Sequence, residues 1–132
     1  MDLELVKELG GEEGFSSQRL TLYLPNKDQE GQELFDLQKW VDQGRELLSQ
    51  IGNGATAFPP AEGNWKNQKG ELLWEQTRII YCYIYPDQFL ENLKNLRDFL
   101  HRFGRETNQG EVVVEFNGRF IRIKHFDVPM GG

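Results

Sequence analysis

One cysteine, two histidines, no excess of positive charge and no long apolar run limit what this 132-residue chain can be. A single cysteine rules out an intrachain disulfide. Cys82 lies in "IIYCYIY", where a thiol reads as a small buried hydrophobe rather than a nucleophile or ligand. With no H-x-x-x-H pair, no second cysteine and no D-x-D pair, there is no recognisable metal-ligand set, and neither metal nor cofactor is expected. The glycines form no G-x-x-x-x-G-K-[ST], no G-x-G-x-x-G ahead of a helix and no G-x-S-x-G, so nucleotide P-loop, Rossmann and nucleophile-elbow chemistry are unsupported. No segment approaches the roughly 20 apolar residues that cross a bilayer. The opening "MDLELVKELGGEEGF" lacks the basic start and apolar centre of a signal peptide, so a cytoplasmic location is expected. The formal charge of −6 repels nucleic acid and anionic membrane, leaving only a local basic strip able to meet a phosphate.

What is present is strongly patterned. Residues 1–18 are acidic and glycine-rich after a short amphipathic start and read as an N-terminal arm. Residues 19–126 read as one domain, and 127–132 as a tail. "RLTLYLP" alternates strictly, with Leu20, Leu22 and Leu24 on one face and Arg19, Thr21 and Tyr23 on the other, which predicts a half-buried strand ending at Pro25. Leu34, Leu37, Val41, Leu48 and Ile51 recur at helical spacing, with Asp36 or Asn26 as cap and Gly52 as stop.

"GNGATAFPPAEGNWKNQKGELLWE" then predicts a strand through "ATAFP", a bend at "PAEGN" and a turn at "NQKG". The returning strand puts Ile80, Cys82 and Ile84 on one face and Ile79, Tyr81, Tyr83 and Tyr85 on the other. Both faces are apolar, as in a central strand. Phe89, Leu93, Leu96, Leu100 and Phe103 make the stripe of a second helix, which Gly104 or Gly110 can end. "EVVVEFNGRFIRI" is a hairpin on a type I′ Asn117-Gly118 turn, pairing Val112 with Ile123 and Val114 with Ile121. This order predicts an α+β, ferredoxin-like βαββαβ antiparallel sheet with two helices on one face and an extra C-terminal hairpin strand.

Covering one face leaves the other open, carrying Tyr23, Tyr81, Tyr83, Tyr85 and Phe120 beside Val113 and Arg122. An apolar patch of that size needs a cover. Homo-oligomerisation through this face is the first reading and a small-ligand site the second. Stacking of single-stranded RNA or burial under the arm come after these. Lys94, Arg97, His101 and Arg105 form a basic strip on the second helix, either solvated and paired with Glu91, Asp98 or Glu106, or contacting an oxyanion. Glu62, Glu71 and Glu75 are placed to face one another across the long hairpin. His101 is the one neutral-pH titrating group near both carboxylates and cations, whereas His125 reads as frayed surface.

"RLTLYLPNKD", the hairpin with its GATAxPPxEGxW pattern, and "LRDFLHRFGRETNQGEVVVEF" together resemble a group of small uncharacterised bacterial proteins, over roughly residues 19–124. The resemblance implies no activity. Three functions are weighed. The first is a non-enzymatic, oligomeric binding or regulatory module that takes a small anionic, nucleotide- or phosphate-like ligand or a protein partner near residues 52–75. Its ligand contacts would be Trp65, Trp74, Arg78, Arg102, Arg105, Asn108 and Gln109. The second is a small hydrolase or isomerase acting on a phosphorylated or nucleotide-like substrate, with His101 and Glu75 or Glu106 as acid and base. The third is an antitoxin, immunity or phage-defence partner suited by its acidity.

Overall fold

The computed structural model describes residues 3–128; the expectations for residues 1–2 and 129–132 lie outside the described residues. The elements follow as α1 (Leu3–Glu8), β1 (Arg19–Pro25), α2 (Leu37–Gly52), β2 (Thr56–Ala57), β3 (Ala61–Lys66), β4 (Leu72–Tyr83), α3 (Pro86–Glu91), α4 (Leu93–Glu106), β5 (Val112–Phe116) and β6 (Arg119–Ile123). The α+β class expected from the strand and helix patterns is what the chain adopts. Six antiparallel strands form one sheet in the order β2-β4-β1-β5-β6, with β3 also pairing β4.

Period-two alternation sorts the strands as the sequence indicates. Leu20, Leu22, Leu24, Ile80, Cys82, Val112 and Val114 are buried beneath Trp40, Val41, Leu48 and Ile51 of α2 and Leu96, Phe99, Leu100 and Phe103 of α4. Trp40 anchors this core edge-on to Phe99 and Phe103, at ring separations of 5.9 and 5.3 Å. The β5–β6 hairpin has the expected register, and Asn117 and Gly118 take the positive φ that a type I′ turn demands.

Several boundaries differ from expectation. The segment "AEGNWK", expected to hold a bend, is strand β3, and the bend sits at Phe58–Pro60, where two prolines interrupt pairing. The expected second helix is two. Asn92 leaves helical φ/ψ, and its side-chain amide donates to the Gln88 carbonyl at 2.8 Å, a local bond that competes with the helical ladder. The break lets Phe89 of α3 lie flat on Phe116 at 5.4 Å while α4 covers the sheet. Neither Gly104 nor Gly110 ends α4, which runs through Gly104 to Glu106. Tyr85 lies just beyond the end of β4, and Phe15 of the N-terminal segment stacks on it at 4.1 Å.

Length mismatch creates the most distinctive feature. β4 has twelve residues and β1 seven, so Leu72–Gln76 pair with β3 alone and project as a two-stranded arm. Leu72, Leu73 and Trp74 are exposed there for want of a third strand. The loop after β1 follows the arm: Asn26 exchanges bonds with Gln76, and Lys27 Nζ donates to the Trp74 carbonyl.

Candidate functional site

The uncovered face of the sheet, the 27–29 loop and the projecting arm enclose an open cavity of about 730 Å³. Its floor is Tyr23, Thr77 and Val113. Trp65 and Glu75 stand on the arm side, Phe120, Arg122 and Lys124 on the β6 side, and Lys27, Asp28, Gln109 and Glu111 at the end between them. Trp65 and Phe120 keep 46% and 66% of their surface accessible, so two flat aromatic faces remain available to a ligand.

Glu75 is the carboxylate in this wall held by neither an ion pair nor its own loop. Asp28 is occupied by the backbone N–H groups of Glu30 and Gln32, both at 2.9 Å. Glu111 accepts from Arg122. Glu75, opposite Gly63 in the β3–β4 register, is half-buried. Burial pushes its carboxyl above the ordinary value, while the neighbouring Trp65 indole and then the Lys27 ammonium act the other way. A carboxyl held high by burial in a ligand-sized cavity is suited to proton transfer or to balancing a bound cation. Burial also raises the Tyr23 phenol, reinforced by the Glu115 carboxylate that accepts its hydroxyl at 3.3 Å.

The expected site residues separate. Trp65, Glu75 and Gln109 meet at the cavity. Trp74, one residue out of phase with Glu75, faces the other side of the arm over a shallower hollow with Glu33 and Glu62. Glu62 pairs with Gln76 and so alternates to the other strand face from Glu75, although Glu75 also borders this hollow; Glu71 closes the turn through Asn67. Arg78 ties the bend to α2, donating to the Phe58 carbonyl at 3.0 Å and to Gln38 at 2.9 Å. Arg102 lies over the Trp40 ring at 5.0 Å and donates to Gln43, on the helical side. Asn108 and Gln109 are braces: Asn108 binds the side chains of Gln29 and Glu30, and Gln109 donates to the Lys27 carbonyl at 3.1 Å. Only Gln109 of the two also lines the cavity.

His101 is corrected most sharply. It is buried on α4, where Nδ1 accepts the Asp127 backbone N–H at 2.8 Å and the ring meets Phe126 edge-on. Arg97 donates through Nε to the Asp127 carboxylate at 2.9 Å and holds that carboxyl below its usual range; Arg105 donates to the Asp127 carbonyl. Arg97, His101 and Arg105 of the basic strip thus bind Asp127 rather than Glu91, Asp98 or Glu106. Phe126 sits where a Cβ on Gly104 would come within 2.3 Å of its ring, so glycine there makes the notch for the tail. His101 and Glu106 belong to this clasp and to α4, and neither lines the cavity with Glu75.

Tyr23, Phe120 and Arg122 were legible as open-face residues, with Tyr23 and Phe120 assigned first to an oligomer contact and the face only second to a small ligand. Lys27 and Lys124 gave no local signal, because loop packing and the arm's projection bring them to the cavity.

No protein-family model matches the chain, and no curated protein matches it. Two solved structures have a similar fold. A phage SAM lyase in complex with S-methyl-5′-thioadenosine superposes with a TM-score of 0.58 at 13% identity, covering 86% of this chain and 94% of the other. A phage SAM lyase in its apo state gives 0.56 at 12% identity, covering 89% and 97%. Likeness to an enzyme over almost the whole of both chains overturns the expectation of a non-enzymatic binding module. The enzymatic alternative keeps no support for His101 as its acid or base, because His101 is built into the tail clasp and away from the cavity.

Proposed function

We propose that this chain is an enzyme that cleaves an adenosyl sulfonium of the S-adenosylmethionine type, with the 5′-thioadenosyl part seated in the cavity on the open sheet face. The observation that carries the reading is Glu75, a half-buried carboxylate with a raised pKa beside the flat, accessible ring of Trp65, in a cavity large enough for a nucleoside. The SAM lyase fold likeness directs the choice of substrate. Aromatic faces and an anion suit such a molecule twice over. The purine stacks, and the sulfonium cation is attracted both to ring faces and to the carboxylate.

Heterolysis of a sulfonium carbon–sulfur bond sends both bonding electrons to sulfur and releases a neutral thioether, here S-methyl-5′-thioadenosine. The carbon left behind is satisfied from within the substrate, by loss of a neighbouring proton or by attack of the substrate's own carboxylate. In the first route Glu75 accepts the proton; in the second its charge positions the sulfonium and no base is needed. An unsaturated amino acid or a lactone as co-product separates the two.

Incubation with S-adenosylmethionine, followed by chromatography for S-methyl-5′-thioadenosine, tests the proposal. Accumulation of the thioether is expected, slowed at least about 100-fold by Glu75→Gln in a variant that keeps the wild-type circular dichroism. A wild-type protein that neither binds nor cleaves the sulfonium at millimolar concentration sinks the reading.

A further inference from the structure

Opposite Glu75, the cavity carries an ion pair whose geometry leaves half of each partner unused. Arg122 donates through Nε to one oxygen of Glu111 at 3.0 Å, and Nη2 lies 2.9 Å from that same oxygen. The other Glu111 oxygen and Arg122 Nη1 have no protein partner among the described residues. A side-on pair of this kind differs from the two-pronged arrangement in which guanidinium and carboxylate satisfy each other. Lys124 stands beside it and lines the same cavity. Val113 pairs with Arg122, which puts Arg122 on the open face of β6, and Lys124, just past the end of that strand, lines the same cavity.

We infer that Arg122, with Lys124, and Glu111 determine substrate specificity by binding the carboxylate and the ammonium of an intact α-amino acid at the far end of the adenosyl sulfonium. The inference rests on the proposed reading of the cavity. Three inter-strand steps separate β4 from β6, about 14 Å of backbone. The long side chains of Glu75 and Arg122 reach inward from either side of that span. A nucleoside end against Trp65 and Glu75 and a zwitterionic end against Glu111 and Arg122 therefore fit one extended molecule. Balanced charge supports the assignment. The cavity holds three acidic groups (Asp28, Glu75, Glu111) and three basic ones (Lys27, Arg122, Lys124), whereas the chain as a whole carries −6.

Calorimetry with uncleaved thioethers tests this without turnover. S-adenosylhomocysteine keeps the amino-acid end, its decarboxylated counterpart keeps only the ammonium, and S-methyl-5′-thioadenosine keeps neither. The wild type is expected to bind S-adenosylhomocysteine at least about tenfold more tightly than S-methyl-5′-thioadenosine. Arg122→Met should erase the preference for the carboxylate, and Glu111→Gln should weaken both amino-bearing ligands by a similar factor. S-methyl-5′-thioadenosine should bind both variants within about twofold of wild type. Equal wild-type affinity for all three ligands, unchanged preference in both variants, or parallel loss of all three ligands overturns the inference while leaving the cavity reading intact. Failure of the wild type to bind any of them overturns both.

Discussion

The two faces of the sheet use the same residue types for opposite ends. Trp40, on the helical side, is 1% exposed, and its environment is filled by Phe99, Phe103 and the Arg102 guanidinium. Trp65, on the arm, is 46% exposed and borders an open cavity. Basic side chains divide in the same way. Arg97, Arg102 and Arg105 bind groups on the helical side, whereas Arg122 pairs with Glu111 at the cavity. An aromatic ring in sequence is therefore ambiguous; whether its faces are already covered distinguishes packing from an available surface.

The largest effect that would sharpen this contrast comes from truncating the two tryptophans. Trp40→Ala empties a fully buried site and should cost about 3–5 kcal/mol in urea unfolding. Trp65→Ala removes a half-exposed side chain and should change stability by less than about 1 kcal/mol, while weakening S-methyl-5′-thioadenosine binding at least about tenfold. Equal destabilisation by both, or unchanged ligand affinity in Trp65→Ala, breaks the distinction.

A middle-sized effect is expected in the tail clasp. His101→Ala removes the acceptor of the Asp127 N–H and the ring that meets Phe126, and should lower stability by about 1–3 kcal/mol. Turnover of the folded variant should stay within about twofold of wild type, because His101 lies across the sheet from the cavity. Loss of turnover with the fold intact would return His101 to the chemistry.

How much of this was legible follows from the range of the forces involved. The buried face was readable because alternation and helical spacing are local: Leu20, Leu22 and Leu24, or Ile80 and Cys82, declare their side by period alone. The β5–β6 register was readable from Asn117-Gly118 for the same reason. The clasp was not. Nothing near His101 in sequence signals that Asp127 returns to it from 26 residues away. The break at Asn92 turned on one side-chain amide, and the cavity on a difference in strand length whose outcome depends on where Pro25 stops β1. Glu75, Trp65 and Gln109 were named from sequence and meet at the cavity, whereas period two turns Trp74 and Glu62 to the other strand face.

A smaller effect concerns the cost of keeping Glu75 where it is. Burial raises its folded-state pKa above the unfolded value near 4.3, so its contribution to stability is full below the ordinary carboxylate range and is lost as pH rises through the raised value. Glu75→Gln should remove that downward slope, leaving a protein at least as stable as wild type at neutral pH yet impaired in turnover. The acid limb of the wild-type rate profile should lie above the range of an exposed glutamate. A variant that loses stability at pH 7 would show that the Glu75 anion supports the fold and does not strain it.

The smallest signal links the two faces. Burial pushes the Cys82 thiol up to about 11, so thiolate is scarce in the folded protein at neutral pH and a thiol reagent reacts through opening of the helical core. A ligand held on the opposite face touches nothing near Cys82, so it can slow labelling only by stabilising the whole fold. At ten times its Kd, S-adenosylhomocysteine should slow the reaction by about tenfold, the factor that binding to the native state alone imposes on global opening. Labelling unaffected by saturating ligand would mean that Cys82 is reached by a local opening that leaves the cavity formed. The two faces would then be independent in stability as well as in use.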